Sequence, residues 1–223
     1  MNLGEIRTLQ VRPWLDDRKA PYRWDDGLLN MYIDQGVTEA VMRLEGIRDD
    51  TTAAICKINV VAGVTRYSFD PRIIEVRRVM LALNSIPLQR IFQRDLDYNV
   101  AGWQTALPNT PQVYYPDALN NTLDLYPKPL VDDVATINVL RLPLVHLSAD
   151  IDVPEIEVQW HPGVAHWACH LAYTNRDPDT HSKEKAKYHY DQFEDWFGKK
   201  KDVRDSDFSR VFIPATVKRR NFV

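Results

Sequence analysis

The sequence predicts an α+β protein: a helical bundle built from N-terminal and C-terminal helices, with an inserted β-rich lobe and an extended C-terminal arm. Three observations predict it. Apolar residues recur at spacings of three and four near both ends of the 223-residue chain. From Ala53 onward, β-branched and aromatic residues instead gather in short runs broken by glycine and proline. After Gly198 the periodicity stops and the composition turns polar and basic.

Taken in order, Leu3 to Leu15 reads as a short helix ending near Pro13. Trp24-Asp25-Asp26-Gly27 precedes the clearest helix, Leu28 to Leu44, whose Leu29, Ile33, Val37, Ala40, Val41 and Leu44 share a face. Asp25 or Asp26 is the expected N-cap and Gly46 the stop. Ile55, Ile58, Val60, Val61, Tyr67 and Phe69 then read as strands, punctuated by Gly63 and Asp70-Pro71. Ile73 to Leu83 is a further strand. The prolines that follow leave room only for short elements at Gln112–Tyr115, Thr122–Tyr126 and Ala135–Leu142. One helical turn between Asp95 and Trp103 is expected to turn Leu96 and Trp103 inward.

Val153 to Gly198 reads as two helices folded back on each other. Val164, Trp167 or Ala168, Leu171, Ala172 and Asn175 fall on one side of the first. Arg176-Asp177-Pro178-Asp179 breaks it, because proline lacks the amide donor and pushes the preceding residue out of helical geometry. Asp179 or Thr180 is expected to cap the second helix, whose Ala186, Tyr190, Phe193 and Phe197 line one face, and Gly198 to close it. A helix pair cannot bury such stripes alone. The terminal segments, 1–53 and 146–198, are therefore expected to pack together as a helical body around a lobe at 54–145, with residues 199–223 as the arm.

Charge is distributed unevenly. Residues 199–223 hold eight basic and three acidic residues, a balance of +5, so the overall net charge of −3 leaves −8 on residues 1–198. An acidic body with a basic tail suggests an arm that docks elsewhere. Its apolar residues, Phe208, Val211, Phe212, Ile213 and Phe222, stand among Arg210, Lys218, Arg219 and Arg220. Apolar groups on a polar arm are unusual unless a partner buries them. No apolar run approaches the roughly 20 residues that span a bilayer, so no membrane partner is expected. Met1-Asn2-Leu3-Gly4-Glu5 does not read as a signal peptide. Cys56 and Cys169 are too few for a disulfide scaffold, which suits a reducing cytosol.

Residues that could carry chemistry have plainer readings. His166 and His170 are spaced i, i+4 around Cys169, as in zinc helices, but position 167 is Trp where a zinc hydrolase would carry its Glu base. They read as structural or interfacial, and no metal or other cofactor is expected. Asp16-Asp17, Asp25-Asp26, Asp49-Asp50 and Asp132-Asp133 could bind magnesium, but each lies at an element boundary, where Asp caps or turns the chain. Phosphate loops, nucleophile elbows and dinucleotide fingerprints are missing, so no catalytic residues and no enzyme are expected. Trp160, Trp167, Tyr173, Tyr190 and Trp196 in the hairpin are instead candidate subunit-interface anchors.

The order of short motifs resembles a known family. Asn2-Leu3-Gly4-Glu5-Ile6-Arg7 is followed by Trp24-Asp25-Asp26-Gly27-Leu28-Leu29-Asn30. Leu123-Asp124-Leu125-Tyr126-Pro127-Lys128-Pro129, Arg141-Leu142-Pro143, Asp152-Val153-Pro154 and the aromatic hairpin come next. This pattern is similar to the head-to-tail adaptor (connector) proteins of tailed bacteriophages, especially the short-tailed ones. The resemblance implies a virion neck protein assembled in the host cytoplasm. It implies a homo-oligomeric ring, commonly of twelve subunits, beneath the portal protein ring. The ring would extend the channel for genomic double-stranded DNA, without sequence-specific binding, and offer a platform to a tail or nozzle protein. The arm would reach along the portal. An acidic channel wall would let the duplex slide without sticking. Rival readings are a tail-tube or gatekeeper subunit, a metal-dependent enzyme using His166, Cys169 and His170, and a nucleic-acid binder acting through the tail.

Overall fold

The computed structural model describes residues 1–84, 86–100, 102–117, 120–175 and 181–200. The fold is mixed α+β. The first helical segment runs through α1 (Leu3–Ile6), a π-helical turn (Arg7–Val11) and α2 (Arg12–Trp14), so Pro13 lies within its last turn. Asn2 and Glu5 close it with reciprocal backbone-to-side-chain bonds of 2.8 and 3.0 Å, which satisfy amides the helix cannot. Helix α3 (Asp26–Arg43) is capped by Asp25, whose carboxylate accepts from the Leu28 amide. The face predicted for α3 is buried from Leu29 through Val41. Its end is closed by the Gly46 amide donating to the Val41 carbonyl, with Glu45 and Gly46 both at positive φ.

The middle of the chain forms two four-stranded sheets. In the first, β8 (Asp133–Arg141) is central. On one side it pairs antiparallel with β4 (Ile73–Leu81), and on the other with β1 (Ile47–Asp49) and β2 (Lys57–Val60) end to end. In the second, β3 (Arg66–Ser68), β7 (Thr122–Tyr126), β6 (Val113–Asp117) and β5 (Gln89–Arg90) lie in that order, β5 parallel and the rest antiparallel. One apolar cluster holds Val76, Val79, Ile137 and Val139 of the first sheet with Tyr67, Tyr114, Leu123 and Leu125 of the second, so the sheets share a core. Successive side chains of a strand face opposite ways. Tyr115, next to Tyr114, thus joins a separate cluster with Leu96 of α5 (Gln93–Asn99) and Trp103 of the 3₁₀ turn Trp103–Thr105.

Three expectations are corrected. Ala53–Cys56 is a helical turn, α4, not the start of a strand; Ile55 and Cys56 are buried by it, so the apolar run reports burial rather than extension. Ile47–Asp49 is a strand inside a segment expected to be helical, because Asp49 and Arg141 meet across the β1–β8 pair. The N-cap of the last helix is Ser182, whose hydroxyl accepts from the Lys185 amide. The caps expected, Asp179 and Thr180, lie outside the described residues.

After the 3₁₀ turn Val158–Trp160, α6 (His161–Thr174) and α7 (Lys183–Phe197) follow, and a second large core joins them to α1–α3. Its deepest members are Leu3, Ile6, Val11, Leu29, Ile33, Val164, Ala168, Ala172 and Phe193. Asn175, expected on the apolar face of α6, is exposed. Two buried arginine networks fix the connections. Arg7 grips Asp150 through two bonds of 2.8 and 2.9 Å and also bonds Asn30, while Arg12 bonds Asp17, Asp26 and the Trp24 carbonyl. Arg141 bonds Asp49 and Glu155, both at 2.6 Å, and so ties the first sheet to the segment entering α6.

Candidate docking surface

Helices α6 and α7 are built for close contact. Gly163 sits where a Cβ would come within 2.7 Å of the Phe197 ring and 2.9 Å of Trp196, so only glycine lets the C-terminus of α7 lie this near the start of α6. Along their shared seam runs a chain of rings. Trp160 packs on Phe197 at 5.7 Å and edge-on to Trp196 at 6.4 Å. Phe197 meets Phe193 at 4.6 Å, Phe193 meets Trp167 at 4.9 Å, and Trp167 meets Tyr190 at 6.2 Å. Each such pair adds roughly 0.5–1.5 kcal/mol beyond its area burial.

The candidate interface aromatics therefore divide. Tyr173 is buried and donates to the Trp14 carbonyl at 3.2 Å, so it is spent inside the chain's own core. Trp160, Trp167 and Tyr190 are half-buried. Trp196 and Tyr188 are exposed. An open groove between the two helices is lined by His170, Thr174, Ala186, Tyr190 and Glu194.

Arg43 at the end of α3 organises the exit of the chain. Its guanidinium lies 4.8 Å from the Phe193 ring, bonds Glu39 at 3.2 Å, and donates to the Gly198 carbonyl at 2.7 Å. A cation at this terminus satisfies a carbonyl the helix leaves free and opposes its dipole. Gly198 adopts a φ of 78°, and Lys200 then reaches Glu39 at 3.5 Å. Lys200 therefore lies beside the C-terminal half of α3. Phe208, Arg210, Val211, Phe212, Ile213, Lys218, Arg219, Arg220 and Phe222, the portal-binding residues expected on the arm, lie outside the described residues.

The histidines expected to be structural are placed as follows. The Nδ1 atoms of His166 and His189 are 3.0 Å apart, so one donates while the other accepts. Trp14 stacks on His166 at 4.3 Å and Tyr173 on His189 at 5.8 Å. Burial, then the neighbouring His166, pushes His189 down to about 4, and burial lowers His166 as well. His170 meets the Ala186 carbonyl at 2.9 Å. Cys169 is fully buried, which raises its thiol well above the ordinary range. Among the described residues, no three His, Cys, Asp or Glu side chains are grouped to hold a metal.

The acidic doublets turn and tie the chain. Asp25 caps α3, Asp49 accepts from the Thr51 and Thr52 amides, and Asp132 and Asp133 accept from Ala62 and Leu83. Burial alone would raise Asp49, but hydrogen bonds from Thr52 and Arg141 overcome it and hold the carboxyl far below its usual range. Sequence reasoning missed a further polar pair. Asp124, on the β7 face away from the shared core, is nonetheless buried, because Arg66 covers it with bonds of 2.9 and 2.8 Å. Burial, then the hydrogen bond with Asp124, pushes Tyr115 up to about 12. The signal was available in the alternation Leu123-Asp124-Leu125, which places the carboxylate on the opposite face, but not the arginine that covers it.

No described helix is long and apolar enough to cross a membrane. A family model described as SU10 adaptor protein matches residues 1–215, nearly the entire chain. No curated protein matches it.

Proposed function

We propose, because the chain belongs to the SU10 adaptor protein family, that it is a structural component of the virion neck that joins the head to the tail. It is a phage adaptor protein. On our reading its copies close into a ring, commonly of twelve, under the portal ring. That ring extends the path of the genomic DNA and carries a tail or nozzle protein. The observation that carries this is the family match, which spans both the helical segments and the sheets between them. The chain is read as non-catalytic, with assembly in the host cytoplasm.

The mechanism is surface burial. Head-to-tail contacts between identical subunits generate a closed ring when their rotation closes. Trp196, with the half-buried Trp160, Trp167 and Tyr190, supplies aromatic anchors for those contacts, while Tyr173 supports them from within. The division into a helical body at 1–53 and 146–198, a lobe at 54–145 and an arm at 199–223 assigns each part a task. The body forms the ring, the lobe projects from it, and the arm docks on the portal. Twelve modest arm contacts add through multivalency. The net charge of −8 on residues 1–198 favours passage of DNA without adhesion.

Deleting Lys199–Val223 tests the docking role. The truncated protein is expected to stay folded and to lose portal binding, measured by co-sedimentation with purified portal rings. Unchanged affinity would refute the assignment of the arm.

A further inference from the structure

Three loops meet at the far end of the first sheet and reverse the usual polarity of loop tips. They are residues 61–64 after β2, residues 82–84 and 86 after β4, and residues 129–132 with the first two residues of β8, 133–134. Backbone bonds lock them together: Gly63 donates to the Pro129 carbonyl at 2.8 Å and Ala82 to the Val134 carbonyl at 3.0 Å. The Asp132 and Asp133 carboxylates turn back to accept from the amides of Ala62 and Leu83 at 2.8 and 3.2 Å. From beneath, the Tyr67 hydroxyl bridges the backbones of Val61 and Val64. Beside the exposed Asp132, most of what points outward is aliphatic. Val61, Val64, Leu83, Ile86, Leu130 and Val131 are each between 40% and 72% exposed.

Loop tips are ordinarily polar, since turns favour Gly, Asn, Asp and Ser and face water. Here the two carboxylates hold the loops, Asp132 while still exposed, and aliphatic groups are presented beside them. Contiguous apolar surface of a few hundred Å² marks a contact site. A rim already locked by hydrogen bonds loses little further entropy on binding. We propose that this rim is the surface on which the adaptor receives an apolar patch of the tail-side protein.

The choice of occupant follows from charge and position. The three loops contain no Lys or Arg and carry Asp132 and Asp133, which disfavours both DNA and an anionic lipid surface. Rim-to-rim packing of two copies would bring four carboxylates together. The rim also lies away from Lys200, from which the arm continues. Lys200 is held at Glu39 of α3, and the turn ending α3 packs through Gly46 on Leu140. From that end of β8 to Asp133 is about 26 Å at 3.3 Å per residue. If the arm serves the portal, the rim serves the opposite side. The proposal thus rests on the adaptor reading and names the surface through which its second partner binds.

The test places a photo-cross-linker on the rim. Particles are assembled with a Leu83→Cys chain labelled with benzophenone maleimide; Cys56 and Cys169 are buried, so the introduced thiol takes the label. Irradiation is expected to join this position to a tail-side virion protein, identified by mass spectrometry. Cross-links only to the portal, to another copy of this chain or to lipid would overturn the proposal, as would incorporation with no cross-link. Absence of the chain from particles would remove the adaptor reading, and the proposal with it. In parallel, Leu83→Ser/Ile86→Ser/Val131→Ser is expected to keep the wild-type unfolding midpoint and portal binding while losing at least tenfold in tail-protein retention. The control Leu107→Ser, exposed elsewhere, should retain the tail protein fully.

Discussion

Arg141 joins three parts of the chain, and its removal should show how strongly they depend on it. Its side chain is 8% exposed and Asp49 is 4% exposed, with their ion pair at 2.6 Å and Glu155 at 2.6 Å on the other side. Arg141→Met keeps the aliphatic volume but strands Asp49 with only neutral donors, Thr51, Thr52 and the Cys56 thiol. Removing one partner of a buried pair costs about 3–5 kcal/mol, because the remaining charge is left without compensation in a poor dielectric. For a chain of this size each kcal/mol lowers Tm by roughly 2–4 °C, so the midpoint should fall on the order of 10 °C. Asp49→Asn should cost less, since Asn still accepts from the two threonine amides and Arg141 keeps Glu155. The double variant Arg141→Met/Asp49→Asn should be more stable than Arg141→Met alone, because the deeply buried Asp49 carboxylate is then gone and only the more exposed Glu155 has lost its partner. Urea unfolding followed by circular dichroism reads all three. A loss below about 1 kcal/mol in Arg141→Met, the level of an exposed pair, would refute the reasoning.

Two further predictions concern the hairpin. His189 has a folded-state pKa of about 4 against an ordinary 6.5, so the unfolded chain binds the proton more readily between those values. Its contribution is therefore present above pH 6.5 and is lost as pH falls toward 4, on the order of 3 kcal/mol, and His189→Leu should flatten that part of the stability profile. An unchanged slope in the variant would exclude His189 as the source. Gly163→Ala should destabilise by roughly 1–3 kcal/mol, since the added methyl collides with Phe197 and Trp196, and thermal unfolding would measure it. A neutral effect would mean that the α6–α7 contact is looser than the structure indicates.

Much of the fold was legible because local signals agreed with one another. Helix α3 has a cap at Asp25, a full apolar face and a stop at Gly46, and β7 has strict alternation between turn residues; both lie within two residues of their expected bounds. Strands β1 and β5, three and two residues long, are too short to show any period and exist only through their partners, β8 and β6. Arg7, Arg12 and Arg141 were invisible as buried residues, since a charged side chain reads as solvated until its carboxylates are placed beside it. The docking surface was partly legible. The aromatic hairpin stood out, but sequence spacing does not reveal that Tyr173 is covered by the N-terminal helix through Trp14, whereas Trp196 is left open. The apolar rim escaped notice because Pro129-Leu130-Val131-Asp132-Asp133 reads as a turn, and spacing does not reveal that its carboxylates bond the Ala62 and Leu83 amides and so join three aliphatic loop tips.

The native mass of the protein, alone and after mixing with purified portal rings, tests the adaptor assignment most directly. A fixed multiple of the 25.9 kDa chain joining each portal ring is the predicted result, and the multiple gives the ring size. A chain that stays unbound in the presence of the portal, at concentrations where it is folded, would contradict it.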